Sequence, residues 1–167
     1  GIYGFLTNRL VDELGRDASN IKVLELGLSA DTQLADMIGE TRDYTFLSNS
    51  DAHSADNIGR EYNLLRMADK NFQEFSYCLD NFEGRRVLAN YGMDPLMGKY
   101  HRSFCTKCST ITGDEPPIFS CSHCGNEKMV MGVYDRIIEI RDQQETHHPL
   151  GRPPYKYRIP LKEIGRA

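Results

Sequence analysis

Four cysteines in two closely spaced pairs carry the strongest chemical signal in the sequence. Each pair has the spacing C-x2-C, twelve residues separate the pairs, and the positions are Cys105, Cys108, Cys121 and Cys124. Two such pairs on turns can close a tetrahedral zinc site with Zn–S bonds of about 2.3 Å. A redox C-x-x-C does not explain two copies, and a cytosolic chain disfavours disulfides. The spacing predicts structural Zn²⁺, because four cysteine ligands leave no open position for substrate.

A carboxylate and an imidazole two residues apart form a second candidate site. The apolar run that begins at Thr45 ends in Asp51-Ala52-His53. Residues i and i+2 of an extended strand lie on one face, so Asp51 and His53 can point at one metal ion. A D-x-H triplet is a weak signal by itself, however. In the alternative interpretation Asp51 caps a helix that starts near Ser54, and His53 is an ordinary surface or half-buried imidazole.

The segments around these residues alternate between strand and helix patterns. Apolar runs at 20–31 and 44–53 have strand length, whereas 31–40, 57–68 and 71–82 have helical spacing. This order predicts an α/β fold with parallel strands and helical crossovers. Functional sites in such folds gather at the carboxyl ends of the strands, where Asp51 and His53 lie.

Glu25 is a third acidic candidate, inside the first predicted strand. A carboxylate in an apolar strand costs several kcal/mol unless a partner or a metal compensates it. The alternative is a side chain that faces outward from a half-exposed strand. Both interpretations stay open at the level of the sequence.

Charge is distributed unevenly along the 167 residues, although the net charge is only −4. Residues 1–84 carry 7 basic and 15 acidic side chains, a net charge of −8, and residues 85–167 carry 13 and 9, a net charge of +4. The second half is therefore expected to meet a polyanion. Basic residues interleaved with tyrosines suit phosphate contact and base stacking, so six residues are candidate nucleic-acid ligands: Arg85, Arg86, Lys99, Arg102, Arg152 and Lys156. For the tail, packing of a polyproline-like segment through its tyrosines is the alternative.

Composition and the chain termini set the wider context. The hydrophobic share of 40% is typical of a globular protein, and no apolar run approaches the roughly 20 residues of a membrane span. We therefore expect no membrane association and a cytoplasmic location. The first residues already form an amphipathic helical pattern without an initiator Met, which indicates part of a longer protein.

Six ordered motifs together resemble the PHP (polymerase and histidinol phosphatase) family joined to a zinc ribbon, and more narrowly the endonuclease Q family. The resemblance covers most of the chain, and the order of the motifs is more specific than any one of them. The motifs are ELGLSAD (25–31), LSNSDAHSADNIGRE (47–61), VLANYGMDPLMGKYHRSFCTKC (87–108), CSHCG (121–125), GVYDRI (132–137) and HPLGRPPYKYRIPL (148–161).

The resemblance implies a fold and an activity. The expected fold is the last βα units of a PHP-type distorted (β/α)7 barrel (1–84), a four-cysteine zinc-binding domain (85–140) and a basic connecting segment (141–167). The implied activity is a metal-dependent endonuclease that nicks DNA 5′ of deaminated bases or abasic sites. By resemblance, Asp51 and His53 belong to the last metal-binding motif, and Glu25 lies near catalytic Mn²⁺, Mg²⁺ or Zn²⁺ ions.

The sequence departs from the family pattern at the catalytic metals. The H-x-H motif that opens the family's barrel does not occur in these residues. We therefore expect this fragment to bind catalytic metals poorly, to be inactive alone and to be prone to self-association through an open barrel edge. Two alternative functions are a PHP phosphoesterase for small phosphate esters and a non-catalytic zinc-ribbon module that binds nucleic acid.

Overall fold

The first described segment is helical but interrupted. The computed structural model describes residues 2–159. Helix α1 (Ile2–Phe5) and helix α2 (Leu10–Leu14) replace the single amphipathic helix that the sequence predicts. Arg9 between them is extended, and its backbone N–H donates to the Thr7 hydroxyl at 3.1 Å. This local hydrogen bond offers the backbone an alternative to helix and ends α1 early.

The next segment forms the predicted strand–helix–strand unit. Strands β1 (Val23–Glu25) and β2 (Thr45–Leu47) pair in parallel, with Val23 opposite Thr45. Helix α3 (Thr32–Ala35) and a 3-10 turn (Gly39–Asp43) connect them. The Asp31 carboxylate accepts the backbone N–H of Leu34 at 2.8 Å and so caps α3. The expected parallel arrangement is confirmed.

A second sheet contains β3 (Tyr62–Arg66), β4 (Arg86–Gly92) and β7 (Tyr155–Tyr157) in the order β3-β4-β7. β3 and β4 are antiparallel, and β7 pairs in parallel with β4. The helix predicted at 57–68 is therefore wrong, because pairing with the distant β4 overrides the local pattern. The helix predicted at 71–82 is confirmed as α4 (Phe72–Leu79), and the Asn71 side chain caps its first turn.

This sheet draws strands from all three segments that the sequence analysis distinguishes. β3 lies in 1–84, β4 in 85–140 and β7 in 141–167. Hydrogen bonds between strands thus cross both expected boundaries, and the division into domains stays a prediction. The described part is a mixed α/β structure in which the strands form sheets of two, three and two members.

A small hairpin follows and is attached to a helix by one buried carboxylate. Strands β5 (Phe104–Cys105) and β6 (Met129–Val130) are antiparallel, and helix α5 (Val133–Ile140) comes next. Asp135 of α5 is buried and accepts Arg102 Nε at 2.7 Å and the Ser103 backbone N–H at 2.6 Å. Gly132 makes this approach possible, since a Cβ there would lie 2.2 Å from the Arg102 carbonyl carbon.

An apolar cluster joins α5 to the region of α3. Ile38, Ile137 and Ile140 are buried together, and Leu34 and Val133 pack against them. Burial of such side chains contributes about 1.5–3 kcal/mol each to folding. Within residues 2–159 every helix is too short or too polar to cross a lipid bilayer.

A buried ion pair fixes the C-terminal segment. The Arg152 side chain is 5% exposed, and its Nη2 lies 2.7 Å from Oδ1 of the fully buried Asp36. The Arg152 guanidinium also stacks 3.8 Å from the centre of the Phe46 ring. We expected Arg152 to contact nucleic acid, but these contacts hold its charged group inside the fold. His148 Nδ1 adds a contact of 2.7 Å to Asp36 Oδ2.

Arg152→Gln is expected to lower the free energy of unfolding by about 3–5 kcal/mol, because it leaves the Asp36 carboxylate buried without its cation. Urea unfolding followed by circular dichroism measures the change. Arg86→Gln is the matched control, since Arg86 is exposed and substitutions at such positions cost about 0.5 kcal/mol or less. A loss below about 1 kcal/mol for Arg152→Gln would contradict a structural role for this ion pair.

Candidate metal centres and nucleic-acid surface

The four cysteines converge as the sequence predicts. Their Sγ atoms all lie within 4.8 Å of one another, and they form the cluster of potential metal ligands found in the described residues. Sγ of Cys105 lies 3.6 Å from Sγ of Cys124, and Cys108 and Cys121 are equally far apart. A zinc tetrahedron with 2.3 Å bonds has S···S edges of about 3.8 Å, so the four thiols fit a structural Zn²⁺ ion.

Two similar turns position the cysteine pairs. The Cys105 N–H donates to the Thr110 carbonyl at 2.9 Å, and its carbonyl accepts the Ser109 N–H at 3.0 Å. In the second turn the Cys121 carbonyl accepts the Gly125 N–H at 2.8 Å. Ser109 and Gly125 have positive φ values of 58° and 70°, which reverses the chain directly after each pair. The backbone thus presents both thiols of a pair to one point.

The environment of Cys105 favours its thiolate form. The backbone N–H of Cys108 makes the largest contribution to lowering the pKa of the Cys105 thiol, and the Asn126 side chain assists. Asn126 Nδ2 lies 3.5 Å from Cys105 Sγ. Because zinc binds the thiolate and not the thiol, these donors prepare the ligand for the metal.

Asp51 and His53 lie in the loop after β2, at the carboxyl end of the parallel sheet. Their side chains are 68% and 84% exposed, and Asp51 Oδ1 is 3.9 Å from His53 Nδ1. His53 Nδ1 is 2.9 Å from the Asp51 backbone carbonyl, which can only accept, so Nδ1 carries the proton. This leaves the lone pair of Nε2 free to accept a hydrogen bond or to bind a metal ion, an arrangement that backbone carbonyls commonly give to ligating histidines.

Asp51 does not cap the helical turn that follows it, contrary to the alternative interpretation. The helical turn after the loop spans Ala55–Asn57, begins after Ser54 and has no side-chain cap. Asp51 instead has a left-handed φ of 44°, a conformation that non-glycine residues rarely adopt and that clusters at functional sites. Arg60 holds the loop through backbone oxygens, with Nε 2.7 Å from the Ser50 carbonyl. The Asp51 carboxylate therefore stays at the surface.

Glu25 is the last residue of β1 and is exposed. It lies opposite Leu47, the last residue of β2, so Glu25 and the loop with Asp51 leave the same edge of the sheet. Its exposure agrees with the outward-facing alternative. The described residues do not bring Glu25, Asp51 and His53 into a three-ligand cluster.

A buried carboxylate that the sequence analysis missed lies beneath this edge. Glu61 is 2% exposed, and its Oε2 accepts the Ser48 hydroxyl at 2.6 Å. Its Oε1 accepts the Met93 backbone N–H at 3.2 Å. Burial raises the pKa of Glu61 above its ordinary value, while the Ser48 and Met93 hydrogen bonds oppose the shift. The alternation of polar Glu61 and Asn63 with Tyr62 and Leu64 was the signal for a strand that could have found it.

Stability is expected to depend on pH through Glu61. Because burial raises its pKa in the folded state, the wild type loses stability as the pH rises through that pKa, and Glu61→Gln lacks this loss. The stability of the variant should rise relative to that of the wild type as the pH increases above the ordinary glutamate pKa of about 4.3, by about 1.4 kcal/mol for each unit of pKa shift. Urea unfolding of both proteins at each pH measures this. A pH-independent difference would contradict it.

The six predicted nucleic-acid residues divide into two groups. Arg85 pairs with Glu74 at 3.2 Å, Arg102 pairs with the buried Asp135 at 2.7 Å, and Arg152 is buried as described. These guanidinium groups hold elements of the fold together. The other three side chains are exposed: Arg86, Lys99 and Lys156.

The fold and the sites define a mixed α/β unit with a cluster of four cysteines that could hold a structural zinc ion, and with exposed Asp and His side chains at a parallel strand end. No protein-family model matches the chain. Solved structures do match it. The lesion-specific endonuclease PfuEndoQ from Pyrococcus furiosus has a TM-score of 0.82 and 37% identity, over 98% of this chain and 41% of that chain. Endonuclease Q in complex with a 27-mer duplex substrate with an abasic lesion at the active site also has a TM-score of 0.82 and 37% identity. This match covers 95% of this chain and 40% of that chain.

Two curated relatives are also similar in sequence. The uncharacterized protein YqxK of Bacillus subtilis is 43% identical over 150 residues, which cover 89% of this chain and 37% of the relative. The uncharacterized protein MJ0043 of Methanocaldococcus jannaschii is 41% identical over 151 residues, which cover 84% of this chain and 19% of the relative. The chain thus spans less than half the length of each protein it matches. Its similarity to endonuclease Q, expected from the motifs, is confirmed across nearly all of the chain.

The purified protein is expected to contain about one zinc ion per chain, and Cys105→Ser combined with Cys121→Ser should abolish it by removing one ligand from each pair. Elemental mass spectrometry measures the zinc content. Cys78→Ser is the control, because Cys78 is a buried cysteine of α4 whose thiol donates to the Arg66 carbonyl. Full zinc content in the double variant would contradict a four-cysteine site.

Proposed function

We propose that the chain is part of a metal-dependent phosphodiesterase, an endonuclease Q-like DNA repair enzyme that nicks 5′ of deaminated bases or abasic sites. The match to a lesion-specific endonuclease, with a TM-score of 0.82 over 98% of the chain, carries this proposal. At 37% identity the similarity extends beyond the fold to the sequence. The activity and the substrates are proposed for the longer protein, since the chain spans 41% of the endonuclease.

The β1–α3–β2 unit would supply the last βα units of a PHP-type distorted barrel. Support comes from its parallel strands and from the position of Asp51 and His53 at their carboxyl end, where barrel enzymes build their sites. The four-cysteine hairpin would be the attached zinc ribbon. The rest of the barrel would come from residues outside this chain.

Asp51 and His53 would ligate the catalytic divalent metals, Mn²⁺, Mg²⁺ or Zn²⁺, and Glu25 would lie near them. An exposed carboxylate beside an imidazole with its Nε2 available offers the mixed oxygen and nitrogen donors that these ions accept. When bound, such metals lower the pKa of a water molecule and stabilise charge on the oxygens of the phosphodiester. Because two or three exposed ligands do not complete a metal site, the chain alone would be inactive.

A non-catalytic role is the second candidate, and the incomplete ligand set favours it for the isolated chain. The described residues hold a complete set of metal ligands at the four cysteines. The chain alone would then act as a zinc-stabilised module that binds nucleic acid. A phosphoesterase for small phosphate esters is less well supported, because a small substrate cannot contact basic residues that are spread over the protein surface.

The partner would be DNA with damaged or deaminated bases. One structure that matches this chain is a complex with duplex DNA that carries an abasic lesion, which supports DNA as the partner. Extrusion of the damaged nucleotide is cheapest where pairing is already weak. Cytoplasmic location and self-association of the chain stay predictions from the sequence.

In the full-length protein, Asp51→Asn and His53→Gln are each expected to lower the rate of nicking by about 100-fold or more, because each removes a donor from the proposed metals. The assay uses duplexes with one uracil or one abasic site and added Mn²⁺ or Mg²⁺. Asp56→Asn serves as the control, since Asp56 is exposed in the helical turn directly after that loop and has no proposed role.

Full activity of Asp51→Asn and His53→Gln would contradict the proposed metal site. Absence of nicking by the wild type, combined with retained DNA binding, would favour the non-catalytic module. Hydrolysis of a generic phosphate monoester that added DNA does not inhibit would favour the phosphoesterase.

A further inference from the structure

One face of the three-stranded sheet carries a row of aromatic and basic side chains. Tyr62 of β3 lies opposite Tyr91 of β4, and Tyr91 lies opposite Lys156 of β7. Residues directly opposite one another project from the same face, and so does Arg158, two positions after Lys156. We name these four residues the Tyr–cation face.

The Tyr–cation face is ordered by contacts among its own members. The rings of Tyr62 and Tyr91 stack with centroids 4.7 Å apart and planes within 9°. Lys156 Nζ lies 5.5 Å from the Tyr91 centroid, and Arg158 Cζ lies 5.6 Å from the Tyr62 centroid. Arg158 Nη1 also donates to the Tyr62 hydroxyl at 2.6 Å. The rings therefore restrict two long cationic side chains that would otherwise sample many rotamers.

The opposite face of the sheet is the one that packs inward. Asn90 Nδ2 donates to the Phe46 carbonyl of β2 at 2.9 Å, and Asn63 Nδ2 donates to the Ser48 carbonyl at 3.0 Å. Asn63 and Asn90 alternate with Tyr62 and Tyr91 along their strands, so the tyrosines point away from β2. Lys156 and Arg158 are exposed accordingly.

The two cations differ from the arginines that hold the fold together. Across residues 2–159, neither Lys156 nor Arg158 has a carboxylate oxygen within 4.0 Å of its nitrogens, whereas Arg85, Arg102 and Arg152 each do. Within the described residues, no carboxylate thus pairs with either charge. On a protein of net charge −4, such a pair is a local site of positive potential that an external anion can use.

The Tyr–cation face lies close to the loop that carries Asp51. β3 begins at Tyr62, two residues after Arg60, and Arg60 Nε donates to the Ser50 carbonyl next to Asp51 at 2.7 Å. A DNA strand with its scissile phosphate at Asp51 and His53 would continue along the sheet. Neighbouring phosphates would then come within reach of Lys156 and Arg158.

We propose that the Tyr–cation face grips the sugar–phosphate backbone of the DNA strand beside the proposed cleavage site. Lys156 and Arg158 contact phosphates, and Tyr62 and Tyr91 hold the two cations in position. This assignment rests on the proposed function and adds Arg158, Tyr62 and Tyr91 to it. Phosphate contacts position a nucleic acid without reading its sequence, so damaged and undamaged DNA should use this face equally.

The test measures fluorescence anisotropy of a labelled undamaged duplex with the zinc-loaded chain over a range of salt concentrations. Lys156→Gln combined with Arg158→Gln should weaken binding about tenfold at low salt and lower the slope of log affinity against log salt by about 1 to 2, because two phosphate contacts are lost. Tyr62→Phe keeps the ring but removes the acceptor for Arg158, and should weaken binding about threefold.

The matched control is Lys22→Gln combined with Lys70→Gln, which removes the same charge from two exposed lysines elsewhere. Circular dichroism and thermal unfolding confirm that each variant is folded. Equal loss in the two double variants would show an effect of net charge alone and overturn the proposal. An unchanged salt slope in Lys156→Gln/Arg158→Gln, or affinity of the wild type that does not depend on salt, would also overturn it.

A nicking assay on the full-length protein separates this result from the proposed function. If Asp51→Asn nicks normally while the Lys156/Arg158 variant loses affinity, the nuclease site is wrong and the Tyr–cation face stands. If Asp51→Asn abolishes nicking while the Lys156/Arg158 variant binds as the wild type does, the Tyr–cation face is wrong and the nuclease site stands. Weaker binding to an acidic protein but not to DNA would assign the face to a protein partner and overturn the proposal.

Discussion

The ion pair between Asp36 and Arg152 is the constraint on which the rest of the structure depends. Both side chains are buried, and the Arg152 guanidinium lies flat against the Phe46 ring of β2. Three residues later the chain enters β7, so the ion pair determines where the last strand adds to the sheet. A buried cation in this position is tolerated only because a carboxylate and backbone carbonyls compensate it. Without the ion pair, a buried carboxylate would lose its guanidinium partner in the segment that leads into β7.

A layer of polar side chains joins the two sheets. Asn90 donates to the Phe46 carbonyl of β2 and to the Asn63 side chain. Asn63 and Glu61 both bond to Ser48, the residue directly after β2. Such side-chain hydrogen bonds favour one register, because a shift of either strand would break them. Close packing against this layer requires a glycine at position 92, because a Cβ there would lie 2.0 Å from the Tyr155 hydroxyl oxygen. The layer fixes the end of β2 and with it the start of the loop that carries Asp51 and His53.

The four-cysteine hairpin depends on different physics. Its strands have two residues each, too few to be stable without help. The proposed zinc ion provides one source of stability, and the contacts of Asp135 with Arg102 and Ser103 provide the attachment to α5. The metal can thus hold the hairpin together locally, while one buried carboxylate orients it relative to the rest of the chain.

The sequence by itself determined the features that depend on near neighbours. Cysteine spacing predicted the convergence of Cys105, Cys108, Cys121 and Cys124, because each pair needs only its own turn. Helical spacing predicted α4, and the β1–α3–β2 unit followed from its strand and helix patterns. Tertiary structure decided the features that depend on distant partners. β3 is a strand because β4 pairs with it, and Arg152 is buried because it forms an ion pair with the buried Asp36. The type of a single residue does not show whether its charge will be paired inside the fold, so the sequence alone could not distinguish a buried arginine from an exposed one.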